Sequence, residues 1–419
     1  MRIGLYGPMA NAAYTLARGL RAAGYEAEYI HEPADRYPMS QPLWEEVEMT
    51  IDPSRLPYDS PTADEWEELG RAHGWTPPSW IVEAAPATAS GLSLRQRLRA
   101  ARLLAAAPRS RPELRDHLNA HASRIAAFSR YDWLIVCGVR VVDAFLSRAP
   151  YTYWPNGGDL SLIPFRNETP LERFEAAAMR AAIRGGAICG THDPTLADHF
   201  ETLGVRDVPF LPFLVDTERY APRPPERRGP LAREVERRAA GRRTLLLAAR
   251  QDVRWKGTDR FARAYSRAVR EGAELFLVVT PWGDDTGVVR PLLADGVPDD
   301  AVYVLPGVAS KPLLVDLYSV ADAVVDQFTL GVHGSTMLEA LACAAPVLIS
   351  LDVDRFRGRW SSWSSPPILN VSSEEEILAA LRSIASGDLD LEGMGRAGRE
   401  WVQRMHGIEH ADRFLPATR

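Results

Sequence analysis

An α/β chain of two doubly wound domains is predicted by three features of this sequence. Short apolar runs alternate with stretches of helical period along most of its length. The alternation stops at the Pro- and Arg-rich segment APRPPERRGP, residues 221–230, and then starts again. At 419 residues the chain is also too long for one ordinary hydrophobic core.

The elements follow in order. RIGLY, a GPMAN loop, NAAYTLARGLRAAG and EAEYI read as strand, loop, helix and strand, one β-α-β unit. Residues 31–86 then break the pattern with Trp, Pro and acids (QPLWEEVE, DEWEELG, WTPPSW). An excursion of that length is suited to shaping a substrate pocket. From DWLIVCGV the alternation returns through VVDAFLSRA, YTYWPNGGDL, ERFEAAAMRAAIRGG, AICGT, PTLADHFETLG and VPFLPFLVD. After the linker, RTLLLAAR, KGTDRFARAYSRAVREG, AELFLVVT, AVYVLPG, KPLLVDLYSVA, ADAVVDQF, STMLEALACA and APVLIS repeat the scheme. Strands and helices at this spacing predict parallel sheets covered on both faces, with ligands at the carboxyl ends of the strands.

Composition narrows the function classes. A formal net charge of −6 argues against general binding to nucleic acid. Cys137, Cys189 and Cys343 form no CxxC pair and sit in apolar runs, as reduced core cysteines do. MRIGLYG enters a strand without a basic leader, and no apolar run reaches the ~18 residues of a membrane span, so a cytoplasmic protein is expected. The stretch SLRQRLRAARLLAAAPRSR, residues 93–111, lines up Arg95, Arg99 and Arg102. It reads either as a surface helix or as a peripheral contact with an anionic membrane.

Four stretches carry candidate chemistry. In GVHGSTMLE a glycine-rich loop runs into a helix, whose first N–H groups and dipole suit a phosphate. Thr336 to Glu339 also fits a capping box, so Glu339 has a purely structural reading as well. RQDVRWKGTD places Arg250 and Lys256 after the first strand of the second half, where two cations would stabilise a departing diphosphate; a solvated basic loop is the alternative. PNGGDL offers Asn156 and Asp159 as hydroxyl ligands, with Asp159 equally able to cap the next turn. The loop Gly7 to Asn11 lacks GxGxxG spacing, which leaves NAD without support. No Cys/His cluster has metal-ligand spacing, His192 and His199 read as loop and helix residues, and Asp284-Asp285 read as a polar turn.

Taken together and in this order, these motifs resemble the retaining glycosyltransferases of family 4, which have the GT-B fold: two Rossmann-like doubly wound domains facing each other across a cleft. PFLVDTERYAP, residues 212–222, is similar to the family's inter-domain junction, with Asp216, Tyr220 and Pro222 in place. Arg250 and Lys256-Gly257 match its Gly-Arg strand end and Lys-Gly. GVHGSTMLEALACAAPVLI aligns with its Glu-x7-Glu signature, with the second glutamate at Glu339 and the first replaced by Gly331. PNGGDL is similar to its His-Gly-x-Asp loop, with Asn156 in the histidine position. GREWVQRMHGIEHADRF resembles the helix that crosses back to the first domain.

The resemblance implies an N-terminal acceptor domain over 1–220, a nucleotide-sugar domain over 221–400 and a crossing helix over 401–419. It implies retaining transfer from a UDP- or GDP-linked sugar to a small-molecule, glycan or lipid-linked acceptor, with neither cofactor nor metal. Arg250, Lys256, Asn156 and Asp159 would be catalytic. Gly7, His333, Gly334, Ser335, Thr336 and Glu339 would hold the donor, Glu339 taking the ribose hydroxyls. His192 and Asn11 would face sugar or acceptor. His333 and Asp326 lie close enough in sequence to replace the missing glutamate. A nucleotide-binding homologue without transfer and a sugar-nucleotide epimerase are the other readings.

Overall fold

The computed structural model describes residues 1–7, 9–32, 37–56, 60–83 and 111–417. The basic stretch expected over 93–111 therefore lies outside the described residues, except for Arg111, which opens a helix Arg111–Phe128. In chain order the first strands are β1 (Arg2–Tyr6), β2 (Glu26–His31), β3 (Thr50–Ile51), β4 (Ile81–Glu83), β5 (Trp133–Val136), β6 (Tyr151–Tyr153) and β7 (Ile188–Cys189). They continue with β8 (Arg243–Leu247), β9 (Leu275–Val279), β10 (Val302–Val304), β11 (Val308–Ala309), β12 (Ala323–Val325), β13 (Val347–Ile349) and β14 (Leu369–Asn370).

The chain divides into two compact units. The first comprises residues 1–42, 76–214 and 408–419, and the second 43–75 and 215–407. This differs from the division expected at 220 and 400. The segment 43–75 belongs to the second unit, because β3 pairs antiparallel with β11 and Ser310 links to Met49 and Val47. Leu391–His406 is a helix of the second unit, and the chain rejoins the first unit at the 3-10 turns Ile408–Phe414.

In the first unit the sheet order is β4-β2-β1-β5-β6-β7, all parallel. Its core joins Ile3, Leu5, Leu16, Leu20, Tyr29, Ile135 and Phe414. The helix Ala12–Ala22 supplies part of that core from one apolar face, with Leu16, Ala17 and Leu20 wholly buried. The helix Pro170–Gly185 starts cleanly, because Thr169 and Glu172 form a capping box ahead of Pro170.

The second unit has the order β10-β9-β8-β12-β13-β14, again all parallel. The runs LLL of β8 and LFLVV of β9 are buried throughout, as strands covered on both faces must be. Helices Thr258–Arg270 and Glu374–Ser386 cover one face, meeting the sheet through Phe261, Tyr265, Ile377 and Leu381. The three cysteines are buried and unbonded to one another. Among the described residues no helix is long and apolar enough to cross a membrane.

Candidate active site

Each sheet reverses its direction of growth at one point, β1/β5 in the first unit and β8/β12 in the second. The helices flanking such a point leave opposite faces of the sheet, which opens a crevice at the carboxyl ends. In the second unit that crevice lies between the loop after β8, carrying Arg250 and Lys256, and the segment after β12, carrying Asp326 to Thr336. The resemblance put the donor on these same residues.

The loop after β8 is tightly tied. Asp252 caps the short helix Val253–Lys256 through the Trp255 N–H (2.7 Å) and accepts a hydrogen bond from Arg250 Nη2 (2.7 Å). Val253 N–H donates to Asp285 Oδ2 (2.7 Å), so Asp285 braces the loop. Gly283 has φ +120°, and a Cβ there would lie 2.3 Å from the Gln251 carbonyl oxygen. Only glycine fits that crossing. Lys256 reaches over the switch point, its Nζ 2.9 Å from Asp326 Oδ1 at the end of β12.

On the other side, the helix Ser335–Ala342 begins at Gly334, and no side chain caps it. The capping box read from Thr336 to Glu339 is not formed, because the helix starts earlier and Glu339 sits in its second turn. The N-terminal end of this helix is thus left to another acceptor, which suits an anion. His333 is buried; its ring stacks on Phe356 (centroids 5.3 Å apart) and meets His406 edge-on (5.1 Å). It anchors the loop in an aromatic cluster with Trp363 and Trp401.

Gly331 has φ +69° and accepts a hydrogen bond from Asp352 N–H (2.9 Å); a Cβ there would lie 3.3 Å from Asp352 Cβ. A glutamate therefore cannot enter this position without strain. Gly331→Glu is expected to lower stability by about 1–2 kcal/mol without creating a donor contact. Thermal melting alongside nucleotide titration checks this; an unchanged melting temperature would contradict it.

Glu339 is buried, with its carboxylate held by Lys311 Nζ and by Tyr318 OH (3.3 Å). Glu45, from the segment that joins this unit, is buried in the same cluster and accepts a hydrogen bond from Tyr220 OH (3.0 Å). Burial raises the Glu45 carboxyl above its usual range, with Glu339 adding to the rise and Lys311 opposing it. Burial pulls Lys311 down, but Glu339 and Glu45 outweigh it and hold the ammonium above its ordinary value. Tyr220 and Tyr318 are pushed well up, by burial first and then by Glu339. Lys311, Glu45 and Tyr318 were not read from the sequence. KPLLVDLY signals only a helix opening at a proline, and nothing in the spacing of 45, 311 and 339 brings them together.

In the first unit, Gly7 marks the switch point, since a Cβ there would lie 2.7 Å from Cys137 Sγ. Asn11 is wholly buried in a left-handed turn (φ 52°), its Nδ2 donating to the Gln41 carbonyl (2.9 Å). Asp159 closes the PNGG turn. It accepts from the N–H groups of Asn156 (3.1 Å) and Gly157 (2.9 Å) and from Tyr153 OH (2.9 Å). Its carboxyl is nevertheless raised, because burial outweighs those hydrogen bonds. Asn156 thus serves the turn through its backbone, with Gly157 at φ +137° permitting the bend. His192, just beyond β7, lies against Trp154 and Phe213, and burial lowers its pKa. No motif signals the ionic cluster at the carboxyl ends of β1 and β2, where Arg124 Nη1, from the helix Arg111–Phe128, meets Glu32 Oε2 (2.9 Å) and Tyr6 OH also reaches Glu32. Burial and Glu32 push the Tyr6 hydroxyl up to about 12.

No family model matches this chain, and no curated protein is significantly similar to it in sequence. Solved structures do match, over almost the whole chain. The Anabaena protein Alr3699/HepE in complex with UDP and glucose aligns with a TM-score of 0.60 at 13% identity, covering 99% of this chain and 97% of its own. Sucrose-phosphate synthase from Thermosynechococcus elongatus gives 0.59 at 14% identity, over 98% and 96%. A glycosyltransferase from Rickettsia africae gives 0.58 at 13% identity, over 100% and 99%. At these identities the likeness shows the fold: two parallel six-stranded sheets with flanking helices, the GT-B fold of glycosyltransferases.

Proposed function

We propose that this chain is a nucleotide-sugar-dependent glycosyltransferase of the retaining, family 4 type. The observation that carries the reading is the switch point of the second unit. There two cations, Arg250 and Lys256, stand on one side and an uncapped helix N-terminus at Gly334 stands on the other. A diphosphate between them is held by backbone N–H groups, with the cations positioned for the charge that builds as it departs. The complex of HepE with UDP and glucose supports a nucleoside-diphosphate donor. Arg250 and Lys256 stand where other folds place a metal. With no enzymic nucleophile assigned, the leaving phosphate takes the acceptor proton on the attacked face. Glu339 meets the ribose hydroxyls through the lone pairs that Lys311 and Tyr318 leave. Asn156, Asp159, His192 and Asn11 line the sugar or acceptor side, and a lipid-linked acceptor remains among the proposed substrates.

A binding homologue without transfer is the second reading, favoured by one observation: Gly331, at positive φ, stands in the place of the first signature glutamate and disfavours that residue. Incubation with UDP-, GDP-, TDP- and ADP-sugars, followed by NMR of the products, separates the two. Transfer or slow donor hydrolysis with the anomeric configuration kept supports the enzyme. Binding with neither transfer nor hydrolysis of any donor supports the homologue.

A further inference from the structure

The Asp326 carboxylate is an unusual thing to bury. Its side chain is fully excluded from solvent, one oxygen pairs with Lys256 Nζ at 2.9 Å, and the other accepts no hydrogen bond from any described residue. A half-satisfied buried carboxylate costs stability, so its retention calls for a reason. It sits at the end of β12, beside β8, directly at the crevice. The neighbouring cation repeats the pattern, with Arg250 paired to Asp252 at 2.7 Å.

We propose that Asp326 is a positioning residue, an internal counter-ion that holds Lys256 against the diphosphate seat and competes with the diphosphate for its charge. The inference rests on the donor reading above. A lysine free to bind a diphosphate equally well before, during and after transfer would tighten ground state and product alike, with no gain in rate. Asp326 satisfies Lys256 while the charge on the diphosphate is small. Only the extra charge that develops on the leaving oxygen draws the ammonium across. The pair thereby keeps Lys256 from tightening the donor ground state and weakens its hold on the departed nucleoside diphosphate, which speeds release.

The test is calorimetry of UDP, GDP, TDP, ADP and inorganic pyrophosphate with wild type, Asp326→Asn, Lys256→Met and the double variant, together with kcat and KM on the best donor. Removing the carboxylate charge is expected to tighten nucleoside diphosphate and pyrophosphate by about fivefold or more, while kcat falls or stays level; the gain disappears in the Lys256→Met background. Asp326→Ser, checked by thermal melting, stands in if the asparagine variant does not fold. Equal or weaker binding in the charge-free variants, beside a wild type that binds, overturns the counter-ion and leaves the donor reading intact. No binding of any probe to wild type or variants removes both.

Discussion

Replacing Lys256 by alanine is expected to lower turnover by about 100-fold or more, the few kcal/mol that one well-placed charge gives to a departing anion. The same change leaves Asp326 buried and unpaired. Breaking a buried pair by removing one partner costs about 3–5 kcal/mol of stability, so activity and folding must be separated. The combination Lys256→Met with Asp326→Asn does so, since it removes both charges at once. We expect it to recover most of the lost stability, read by denaturant titration, and none of the lost turnover. A rate within threefold of wild type for the folded Lys256 variants would sink the assignment.

The second large effect concerns Lys311→Met. This lysine is the cation between two buried carboxylates, Glu339 in the helix after β12 and Glu45 in the segment that joins the second unit. Its loss brings two like charges face to face in a buried site, and about 3–5 kcal/mol of stability is expected to go at neutral pH. The sign of the pH dependence follows from Glu45, whose pKa is raised in the folded state. A raised carboxyl binds its proton more tightly when folded, so stability falls as pH climbs from the unfolded pKa to the folded one. The variant is therefore expected to regain stability on acidification towards pH 5. In wild type the raised pKa of Lys311 contributes stability that is fully present below the unfolded lysine value and lost at alkaline pH. Melting curves from pH 5 to 8 that show no acid recovery in Lys311→Met would contradict the shared-cation account.

Much of this fold could be read in the sequence because parallel strands buried on both faces are written as continuous apolar runs. The runs LLL, LFLVV, AVV and VLI became β8, β9, β12 and β13, and the Gly7 and Gly331 loops fell at strand ends as their spacing implied. The edges could not be read so well. Leu369–Asn370 and Ile81–Glu83 are two- and three-residue strands, too short to show a period. The helix Pro230–Ala239 begins within the last residue of the expected linker, where proline serves as a helix start instead of a breaker.

The residues of the candidate site could be named singly from the sequence, but not their pairings. Arg250, Lys256 and Glu339 stood out from local motifs, whereas their partners do not all belong to one motif. Asp252 is two residues from Arg250, but Asp326 is 70 from Lys256 and Lys311 is 28 from Glu339. The allocation of 43–75 to the second unit rests on a two-residue strand pair and the side chains of Ser310, Arg219 and Arg223, each of them a long-range contact. Asp159 went the other way, because a carboxylate two and three residues from backbone N–H groups closes its own turn.

In the proposed donor complex the second unit holds a nucleoside diphosphate between Arg250, Lys256 and the helix at Gly334, with Glu339 on the ribose. Calorimetric titration of UDP, GDP, TDP and ADP, with NAD as control, into wild type and Glu339→Ala tests it most directly. Glu339→Ala leaves Lys311 with Glu45 as counter-charge, so the fold is expected to survive. The expected result is selective binding of one diphosphate by wild type, weakened tenfold or more in the variant, and no binding of NAD. Binding of none of the four by wild type, or unchanged affinity in a folded Glu339→Ala, would contradict it.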